Sequence, residues 1–390
     1  MAEGKLISPD LDFVKKIVNS GGESLKKCYQ CATCSVVCNM TPDDKPFPRK
    51  EMIQAQWGLK DKLFANPDIW LCHQCSDCTA FCPRGAKPGE VLGAIRKLSI
   101  EHYSFPRFLG RMVGDPKFLI FLLAIPVVLF GIIAPIVAQM IPPQYLEGST
   151  PGNLFQAMTS TEPIVYAERF MPVPIIDTIF GLSALFAAFG FFLGITRYWK
   201  DLAGANGKPK GSIFSAGVAT ITEFLAHKKF KKCDVTVDRS QSHLFVFYGF
   251  VGLAITTTWA IFYLYGLHRP SPYPLYDPMK ILGNASGIGL LLGISWVIGN
   301  RRRNAPKAGM GSYYDWLFIS VVLTIVVSGL LSELLRLFGI AQLAYPVYFI
   351  HLTAIFFLFA YAPFSKMAHM VYRTTALVFA KSTGRDKEIA

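Results

Sequence analysis

Residues 28–38 read CYQCATCSVVC, and residues 72–83 read CHQCSDCTAFCP. In both stretches four cysteines follow the spacing C-x2-C-x2-C-x3-C, and only the second stretch ends in a Cys-Pro pair. Eight of the nine cysteines in the chain belong to these two runs. A repeated spacing is a stronger signal than the number of cysteines, because it indicates which thiols can meet around one centre.

The spacing is typical of bacterial ferredoxins, in which three thiolates bind three irons of a [4Fe–4S] cube and the displaced fourth thiolate binds the other cube. This rule predicts two clusters with the ligands Cys28, Cys31, Cys34 and Cys82 for the first, and Cys72, Cys75, Cys78 and Cys38 for the second. A disulfide framework conflicts with the cytoplasmic placement argued below. Structural zinc usually uses two C-x2-4-C pairs instead of triplets.

The segments around the second run favour helices. Apolar spacing predicts short helices at 49–64 and 87–102. A compact ferredoxin built on β hairpins has little room for such insertions, so we expect an α-helical ferredoxin domain over residues 1–105. His73 lies inside the second run and is interpreted as a donor to sulfur or a solvated side chain, because four thiolates already serve as ligands.

The rest of the chain is apolar. Hydrophobic residues make up 52% of the sequence and charged residues 17%, with a mean hydropathy of +0.36. This composition excludes a soluble nucleic-acid binder and a disordered chain, because neither carries so much apolar and aromatic surface. A helix that spans a bilayer needs roughly 20 apolar residues. Six stretches meet this requirement, at 118–141, 174–197, 243–265, 281–299, 315–338 and 345–370.

The basic residues predict how these spans are oriented, since Lys and Arg favour the cytoplasmic side of a membrane. With the N-terminus inside, 35 of the 39 Lys and Arg residues fall in the inner segments. The chain begins without the basic-then-apolar pattern of a signal peptide. We therefore expect a multi-pass protein of the cytoplasmic membrane with both termini in the cytoplasm. The net charge of +13 then reflects topology and not a nucleic-acid partner.

Histidines in membrane helices suggest a functional role, because burying an ionisable group in the bilayer costs free energy. Imidazoles from two helices can bind a haem iron from both faces. His351 and His369 are 18 residues apart, which is five turns of one helix, so they are expected to share a face with a separation of about 27 Å. The topology places His369 level with His243 on the inner side. We expect this pair to be the axial ligands of haem b.

The other histidines are weaker candidates. His351 lies on the outer side, and ligation of a second haem, a hydrogen bond to a quinone and simple packing are alternatives for it. His227 and His268 are further haem candidates, although a solvated imidazole at the membrane interface is favoured for both.

Two charged residues near the outer end of the fifth span form a candidate quinone site. Glu333 and Arg336 lie three residues apart, and a carboxylate near a haem can accept a quinol proton. An ion pair between them that closes the helix is an equal alternative. Cys233 belongs to neither cysteine run and is interpreted as a free thiol.

These motifs resemble known families. The cysteine runs are similar to the C-type iron–sulfur subunit of heterodisulfide reductase, while the six spans with His351 and His369 look like its cytochrome b partner and, more distantly, the membrane cytochrome b subunit of respiratory nitrate reductase. The joined modules resemble the C-subunit family of quinone-interacting membrane-bound oxidoreductase (Qmo) complexes of sulfate-reducing bacteria. The chain departs from the nitrate reductase type in having His243 alone on its third span, where that type has two histidines.

The Qmo resemblance implies two [4Fe–4S] clusters, one or two b-type haems and menaquinone as a substrate. It also implies two cytoplasmic flavin and iron–sulfur partners similar to QmoA and QmoB, with adenylylsulfate reductase as a redox partner. The chain would then be catalytic only as one subunit of a quinone-interacting oxidoreductase. A subunit of a related heterodisulfide reductase-like complex and a redox-sensing membrane anchor without quinone turnover are the alternatives.

The motifs together predict a mainly α-helical chain in four parts. These parts are a cytoplasmic two-cluster ferredoxin-like domain at 1–105, an amphipathic linker at 106–117, a six-helix transmembrane cytochrome b bundle at 118–372 and a cytoplasmic tail at 373–390.

Overall fold

The computed structural model describes residues 8–146, 149, 152–227, 229 and 239–385. Every regular element in these ranges is helical, which confirms the predicted mainly α-helical class. Cys233 lies outside the described residues, so its interpretation as a free thiol stays a prediction.

Seven helices form the N-terminal region around the cysteine runs. They are α1 Leu11–Ile17, α2 Thr33–Val36, α3 Arg49–Gln56, α4 Lys60–Phe64, α5 Asp68–Leu71, α6 Asp77–Ala80 and α7 Pro88–Tyr103. The helix predicted at 87–102 is α7, whereas the helix predicted at 49–64 is divided into α3 and α4. The division falls at Gly58, whose φ is +64° and whose Cβ, if present, would lie 2.4 Å from the carbonyl oxygen of Asp10.

α7 is the central helix of this region. Its residues Val91, Leu92 and Ile95 are fully buried, at the three- and four-residue spacing of one helix face. They share a core with Ile17 of α1 and Met52 of α3. Burial of each such side chain stabilises the fold by about 1.5–3 kcal/mol. The region therefore has an apolar core of its own beside the cysteine runs.

The other helices follow in chain order. They are α8 Arg107–Gly114, α9 Pro116–Met140, α10 Leu154–Thr159, α11 Tyr166–Arg169, α12 Val173–Asn206, α13 Ile213–Ala226, α14 Arg239–Gly266, α15 Pro278–Arg303, α16 Ala305–Ala308, α17 Tyr313–Leu337, α18 Ala341–Ala360 and α19 Ala368–Ser382. Six of them, α9, α12, α14, α15, α17 and α18, are long and apolar enough to cross a membrane. Large apolar side chains such as Leu185 and Phe192 stay exposed on α12, as expected of a helix that faces lipid. These helices support a multi-pass membrane protein.

The sixth span is shorter than predicted. α18 ends at Ala360, and α19 begins at Ala368 after a 3₁₀ turn. Pro363 lies in this turn, and proline breaks a helix because it lacks the amide hydrogen and its ring clashes with the preceding turn. His351 and His369 therefore belong to different helices. The prediction that they share one face of a single helix is wrong.

α19 packs against both halves of the molecule. Its Tyr372 stacks on Trp70 of α5, with the ring centroids 5.7 Å apart. The domain boundary predicted at residue 372 lies inside α19, which continues to Ser382. Much of the tail predicted at 373–390 is thus part of a helix that holds the N-terminal region against the membrane helices.

The buried carboxylate of Asp68 binds an arginine that follows α19. Asp68 is 1% exposed and accepts hydrogen bonds from Arg385 at 2.8 Å and from Lys50 at 2.9 Å. A buried charge is tolerated only when it is paired and hydrogen-bonded. Asp68 therefore depends on a cation from the N-terminal region and on another from beyond α19.

The segment predicted as an amphipathic linker at 106–117 contains α8. Arg107 and Arg111 are exposed, whereas Val113 is fully buried. Arg111 forms a salt bridge with Glu101 of α7 at 3.3 Å. α8 therefore has one basic face and one packed face.

The orientation of the spans can be tested with reporter fusions. Alkaline phosphatase fused after Leu275, between α14 and α15, should be active, because that loop is expected outside the cytoplasm. The same enzyme fused after Ala390 should be inactive, while green fluorescent protein at that position should fluoresce. Reporter activity in bacterial cells, divided by the amount of fusion protein, is the measurement. An active phosphatase at Ala390 with an inactive one at Leu275 would reverse the topology.

Candidate iron–sulfur and haem site

The two cysteine runs follow the same backbone path. Gln30 and Ala32 of the first run have φ values of 61° and 70°, and Gln74 and Ser76 occupy the corresponding positions of the second run with φ values of 56° and 70°. Each run then enters one helical turn, α2 or α6. A left-handed backbone is unfavourable for residues other than glycine and persists where the surroundings require it. Equal cysteine spacing thus accompanies equal local structure.

The second run gathers four thiols around one cavity. Cys72, Cys75 and Cys78 line the cavity together with Cys38 from the first run, and we call these four the second thiol group. Burial, and then the nearby thiols of Cys72 and Cys75, raises the pKa of Cys38 to about 12. Three thiols from one run and one from the other fit a [4Fe–4S] cube, whose positive irons offset the repulsion among thiolates.

The first run acquires its fourth thiol in the same way. Cys28, Cys31 and Cys34 lie near Cys82 from the second run, and we call these four the first thiol group. Burial, and then the thiols of Cys28, Cys31 and Cys82, raises the pKa of Cys34 to about 11. The last cysteine of each run thus lies near the first three of the other run, and the binding of clusters by these two groups stays a prediction. In the described part of the chain, no three His, Cys, Asp or Glu side chains close around a single metal ion.

Hydrogen bonds reach several of the sulfurs. The amide of Gln74 donates to the Sγ of Cys72 at 3.4 Å, and the amide of Ala86 donates to the Sγ of Cys82 at 3.3 Å. In the first run, the Nε2 of Gln30 lies 3.4 Å from the Sγ of Cys28. Donors to sulfur favour the thiolate form and influence the reduction potential of a bound cluster.

The two thiol groups differ in exposure. Cys31 of the first group is exposed, whereas Cys72 and Cys78 of the second group are buried. Cys34 of the first group is also buried, and the remaining cysteines of both groups are half-buried, so the groups differ in that only the first has an exposed thiol.

Three arginines hold the second run against the membrane helices. Arg96 of α7 donates to the carbonyl oxygen of Cys72 at 2.8 Å, and Arg373 of α19 donates to the same oxygen at 3.1 Å. Arg239, at the start of α14, donates to the carbonyl oxygen of Gln74. Hydrogen bonds to charged groups contribute about 1.5–3 kcal/mol each. Because Arg239 and Arg373 belong to the membrane region, they tie the second thiol group to one end of the helix bundle.

His73 lies at this junction. Its Nδ1 accepts a hydrogen bond from the Nη2 of Arg373 at 3.0 Å. Burial, and then the positive charges of Arg373 and Arg239, keeps the pKa of His73 well below its usual value. His73 is therefore neutral at physiological pH and accepts from a guanidinium, which neither of its two predicted roles included.

Three further histidines lie near one another, and we call His227, His243 and His369 the histidine cluster; His243 is also close enough to His73 for electrostatic interaction. The Nε2 of His227 lies 3.1 Å from the Nδ1 of His243, and His369 is close enough to His243 for the two imidazoles to interact electrostatically. The Nδ1 of His369 donates to the carbonyl oxygen of Lys366 at 2.5 Å, so its Nε2 is the nitrogen available to bind iron. Burial, and then the charge of Lys366, lowers the pKa of His369 to about 3. The neutral ring is the form that binds a metal.

A buried charge pair supports the turn before His369. Lys366 donates to Asp315 at the start of α17, with 2.6 Å between Nζ and Oδ1, and Arg301 lies 3.7 Å from the same carboxylate. Asp315 is 7% exposed. Breaking a buried pair by removing one partner is strongly destabilising, because a charge is left uncompensated. The pair therefore fixes the segment whose carbonyl orients His369.

The predictions for His227 and His268 have different outcomes. His227 is only 6% exposed, so its interpretation as a solvated imidazole is wrong. It follows α13 with a φ of 49°, and this left-handed residue brings its ring against His243. His268 is exposed beyond the end of α14. No spacing rule marked His227, because the sequence between His227 and His243 has no periodic pattern.

His351 lies between α17 and α18. Its Nδ1 is 3.0 Å from the carbonyl oxygen of Ile325 and 3.1 Å from the Oγ of Ser328. Gly329 makes room for the ring, because a Cβ there would lie 2.8 Å from the Cε1 of His351. The described hydrogen bonds of His351 bring no second imidazole to it.

Glu333 has different neighbours from those expected. It forms a salt bridge with Lys280 of α15 at 2.9 Å and accepts a hydrogen bond from Asn284 at 3.3 Å. The alternative in which Glu333 pairs with Arg336 and closes the helix is therefore wrong. Arg336 instead lies near Tyr166 of α11. The helical spacing suggested a local pair, but a cation on the neighbouring helix reaches the carboxylate.

Comparison with known proteins first concerns the N-terminal region. A 4Fe-4S dicluster domain matches residues 24–86, which contain both cysteine runs. The chain is 38% identical over 85 residues to a protein of Archaeoglobus profundus that is itself like the C-type subunit of heterodisulfide reductase, covering 22% of this chain and 45% of that protein. It is 37% identical over 90 residues to the C-type subunit of the H2:CoB-CoM heterodisulfide, ferredoxin reductase of Methanothermobacter marburgensis, covering 22% and 47%. The chain thus spans about half the length of these curated relatives.

The second comparison covers the membrane region. The family of citrate utilization protein B matches residues 119–390, which is more than half of the chain. The chain belongs to the citrate utilization protein B family. It is also 24% identical to citrate utilization protein B of Escherichia coli, covering 94% of this chain and 93% of that protein. No solved structure matches the chain.

The similarity to these proteins confirms some of the predictions made from the sequence and leaves others untested. The likeness to the C-type iron–sulfur subunit of heterodisulfide reductase and the presence of iron–sulfur clusters are confirmed for this member of the citrate utilization protein B family. The cluster-bearing region and the apolar helices together support a redox electron-transfer protein. The likeness to the Qmo C-subunit family, the b-type haem and menaquinone stay predictions.

The exchange of cysteines can be tested by comparing which cluster each variant loses. Cys38→Ser should remove the same EPR signal as Cys75→Ser and leave the signal that Cys31→Ser removes, because Cys38 shares a cavity with Cys75. Each variant should lose up to about half of the bound iron, since each cube holds four irons. Cys233→Ser is the control and should retain both signals. Loss of the same signal in Cys38→Ser and Cys31→Ser would show that the runs do not exchange ligands.

Arg373→Gln should lower the reduction potential of the second cluster. The substitution removes a positive charge whose hydrogen bond ends on the carbonyl of the ligand Cys72. A charged hydrogen bond of about 1.5–3 kcal/mol corresponds to about 65–130 mV for one electron, which is the largest shift expected. EPR-monitored redox titration measures it, with Lys62→Gln on α4 as a control for loss of charge. An unchanged second cluster beside a shifted first cluster would contradict the assignment.

Proposed function

We propose that the chain is the membrane subunit of a respiratory electron-transfer complex, which relays electrons between menaquinone and cytoplasmic partner subunits through haem b and two [4Fe–4S] clusters. The observation that carries this proposal is the convergence of the second thiol group and the histidine cluster at one end of the helix bundle. His73 follows Cys72 directly, and it is close enough to His243 for electrostatic interaction. The protein's contribution to such a relay is to bring redox groups close together in a fixed arrangement.

The histidine cluster fits a haem b held between α14 and α19. His243 and His369 are the proposed axial ligands, and the contact of His227 with the Nδ1 of His243 would orient that ring. Lys366 does the same for His369 through its carbonyl oxygen. A bound haem supplies one-electron chemistry between a quinol and a cluster. The chain's own part is to hold two neutral imidazoles in place.

The far end of α17 fits the quinone side of the relay. Glu333 lies 18 residues along α17 from Asp315, which is about 27 Å of helix. A quinol gives up two protons when it is oxidised, and Glu333 is the proposed acceptor, with Lys280 compensating its charge. His351 of α18 contacts α17 through Ile325 and Ser328. Its Nε2 would bind a second haem or a quinone oxygen. Arg336 stays a weaker candidate for the same site.

The proposed partners are those that the resemblance to Qmo complexes implies. Two flavin and iron–sulfur subunits similar to QmoA and QmoB are the proposed cytoplasmic partners, and adenylylsulfate reductase is the proposed redox partner beyond them. The N-terminal relatives are named as subunits of larger reductases, which supports a role within a complex. The same likeness favours a second candidate, a subunit of a heterodisulfide reductase-like complex. Sustained haem reduction by a menaquinol analogue would support a subunit of either complex. A redox-sensing anchor should show no sustained reduction.

Haem content tests the relay. The reduced-minus-oxidised spectrum of the purified chain should show b-type bands. His369→Ala should remove at least about half of their amplitude, because the haem that His243 and His369 would hold is lost and at most one other haem remains. His268→Ala is the matched control, since His268 is exposed, and it should retain the wild-type spectrum. A wild-type chain without haem bands, but with both cluster signals, would refute the haem relay.

A further inference from the structure

The surface around the first thiol group exposes large apolar side chains. Tyr29, Val36 and Phe81 are 68%, 82% and 53% exposed. Tyr29 follows Cys28 directly, and Phe81 directly precedes Cys82, so both sit beside thiols of this group. Single exposed apolar residues are ordinary on a protein surface. Here they are concentrated on the segments that carry one thiol group, and a patch of this kind marks an interaction site.

The same surface is basic. Residues 26–38 and 78–87 contain Lys26, Lys27, Arg84 and Lys87 and no aspartate or glutamate. Lys26, Lys27 and Arg84 are exposed. Arg84 lies over the ring of Tyr29, 4.0 Å from its centroid, so the basic and apolar parts of the surface are in contact. A rim of one sign of charge attracts an oppositely charged partner and raises its association rate.

The thiols show why this surface matters for electron transfer. Cys31 is exposed, whereas no thiol of the second group is exposed, and Arg373 of α19 binds the carbonyl oxygen of its Cys72. Of the two clusters, the first is therefore the one that a soluble partner can approach closely. A second copy of this chain is disfavoured as the occupant, because it would bring two basic rims together.

We propose that this surface, defined by Tyr29, Val36, Phe81, Lys26, Lys27 and Arg84, docks an acidic soluble electron-transfer protein at the first cluster. The inference rests on the proposed electron-transfer function and adds its partner surface. In the encounter the reduced first cluster gives up one electron and returns to its oxidised state, while the partner's redox group gains that electron. No bond is made or broken, and the reverse direction balances in the same way.

The test uses two purified probes of opposite charge, an acidic flavodoxin and the basic cytochrome c. The full chain in detergent is reduced with dithionite, the excess is removed, and stopped-flow absorbance follows probe reduction. The rate constant with flavodoxin should fall about tenfold between about 20 and about 300 mM salt, because salt screens the attraction. With cytochrome c, the rate should rise or stay level over the same range.

Charge reversal supplies the decisive variants. Lys26→Glu/Lys27→Glu and, separately, Lys27→Glu/Arg84→Glu should each slow the reaction with flavodoxin about tenfold at low salt. The matched control is Lys16→Glu/Lys62→Glu, which reverses two exposed lysines on α1 and α4 and should stay within about twofold of wild type. Iron content and both EPR signals establish that each variant is folded. The first pair leaves Arg84 unchanged, so it guards against a local defect at Arg84, which is close to Cys82.

The outcomes are distinct. Equal slowing by the control and by both test pairs, or a flavodoxin rate that does not depend on salt, would overturn the docking surface. The assay loads the clusters directly with dithionite and does not depend on haem or quinone. A chain without haem could therefore still support the docking surface, and a failed docking test would leave the haem relay standing.

Discussion

Three guanidinium groups converge on the carbonyl oxygens of residues 72 and 74, and the relation between the two halves of the molecule depends on them. Arg96 comes from the N-terminal region, whereas Arg239 and Arg373 come from the membrane region. Their donors end on backbone atoms of the cysteine run itself. The position of the second thiol group relative to the membrane is thus set by the same contacts that shape its loop.

The three arginines also affect the electrostatics of the second thiol group. A loaded cluster with four thiolates carries negative charge, and the surrounding arginines compensate it within a buried setting. Among the described contacts of the first run, one arginine has a similar place, since Arg49 donates to the carbonyl oxygen of Gln30 at 3.1 Å, and Cys31 is exposed. Two loops with one backbone path are therefore placed in different surroundings. Surroundings of this kind, through charge, hydrogen bonds and exposure, are what separate the potentials of chemically identical clusters.

Local signals in the sequence predicted much of this arrangement. The cysteine spacing anticipated which thiols meet, because ligands of a cube must lie close to one another, and the length of the apolar stretches located the six spans. The break after Ala360 escaped prediction although Pro363 was visible, because the apolar pattern continues through it. The burial of His227 and the pairing of Glu333 with Lys280 depend on how separate helices pack. No periodicity in a single segment can reveal such contacts.

The attachment of α19 also has a consequence for the order of assembly. Arg373 and Arg385 are synthesised long after their partners Cys72 and Asp68, which precede them by 301 and 317 residues. N-terminal regions generally fold while synthesis continues. The contact between the second cysteine run and α19 can therefore form only after α19 has been made. Until then the second thiol group lacks one of the arginine contacts that enclose it.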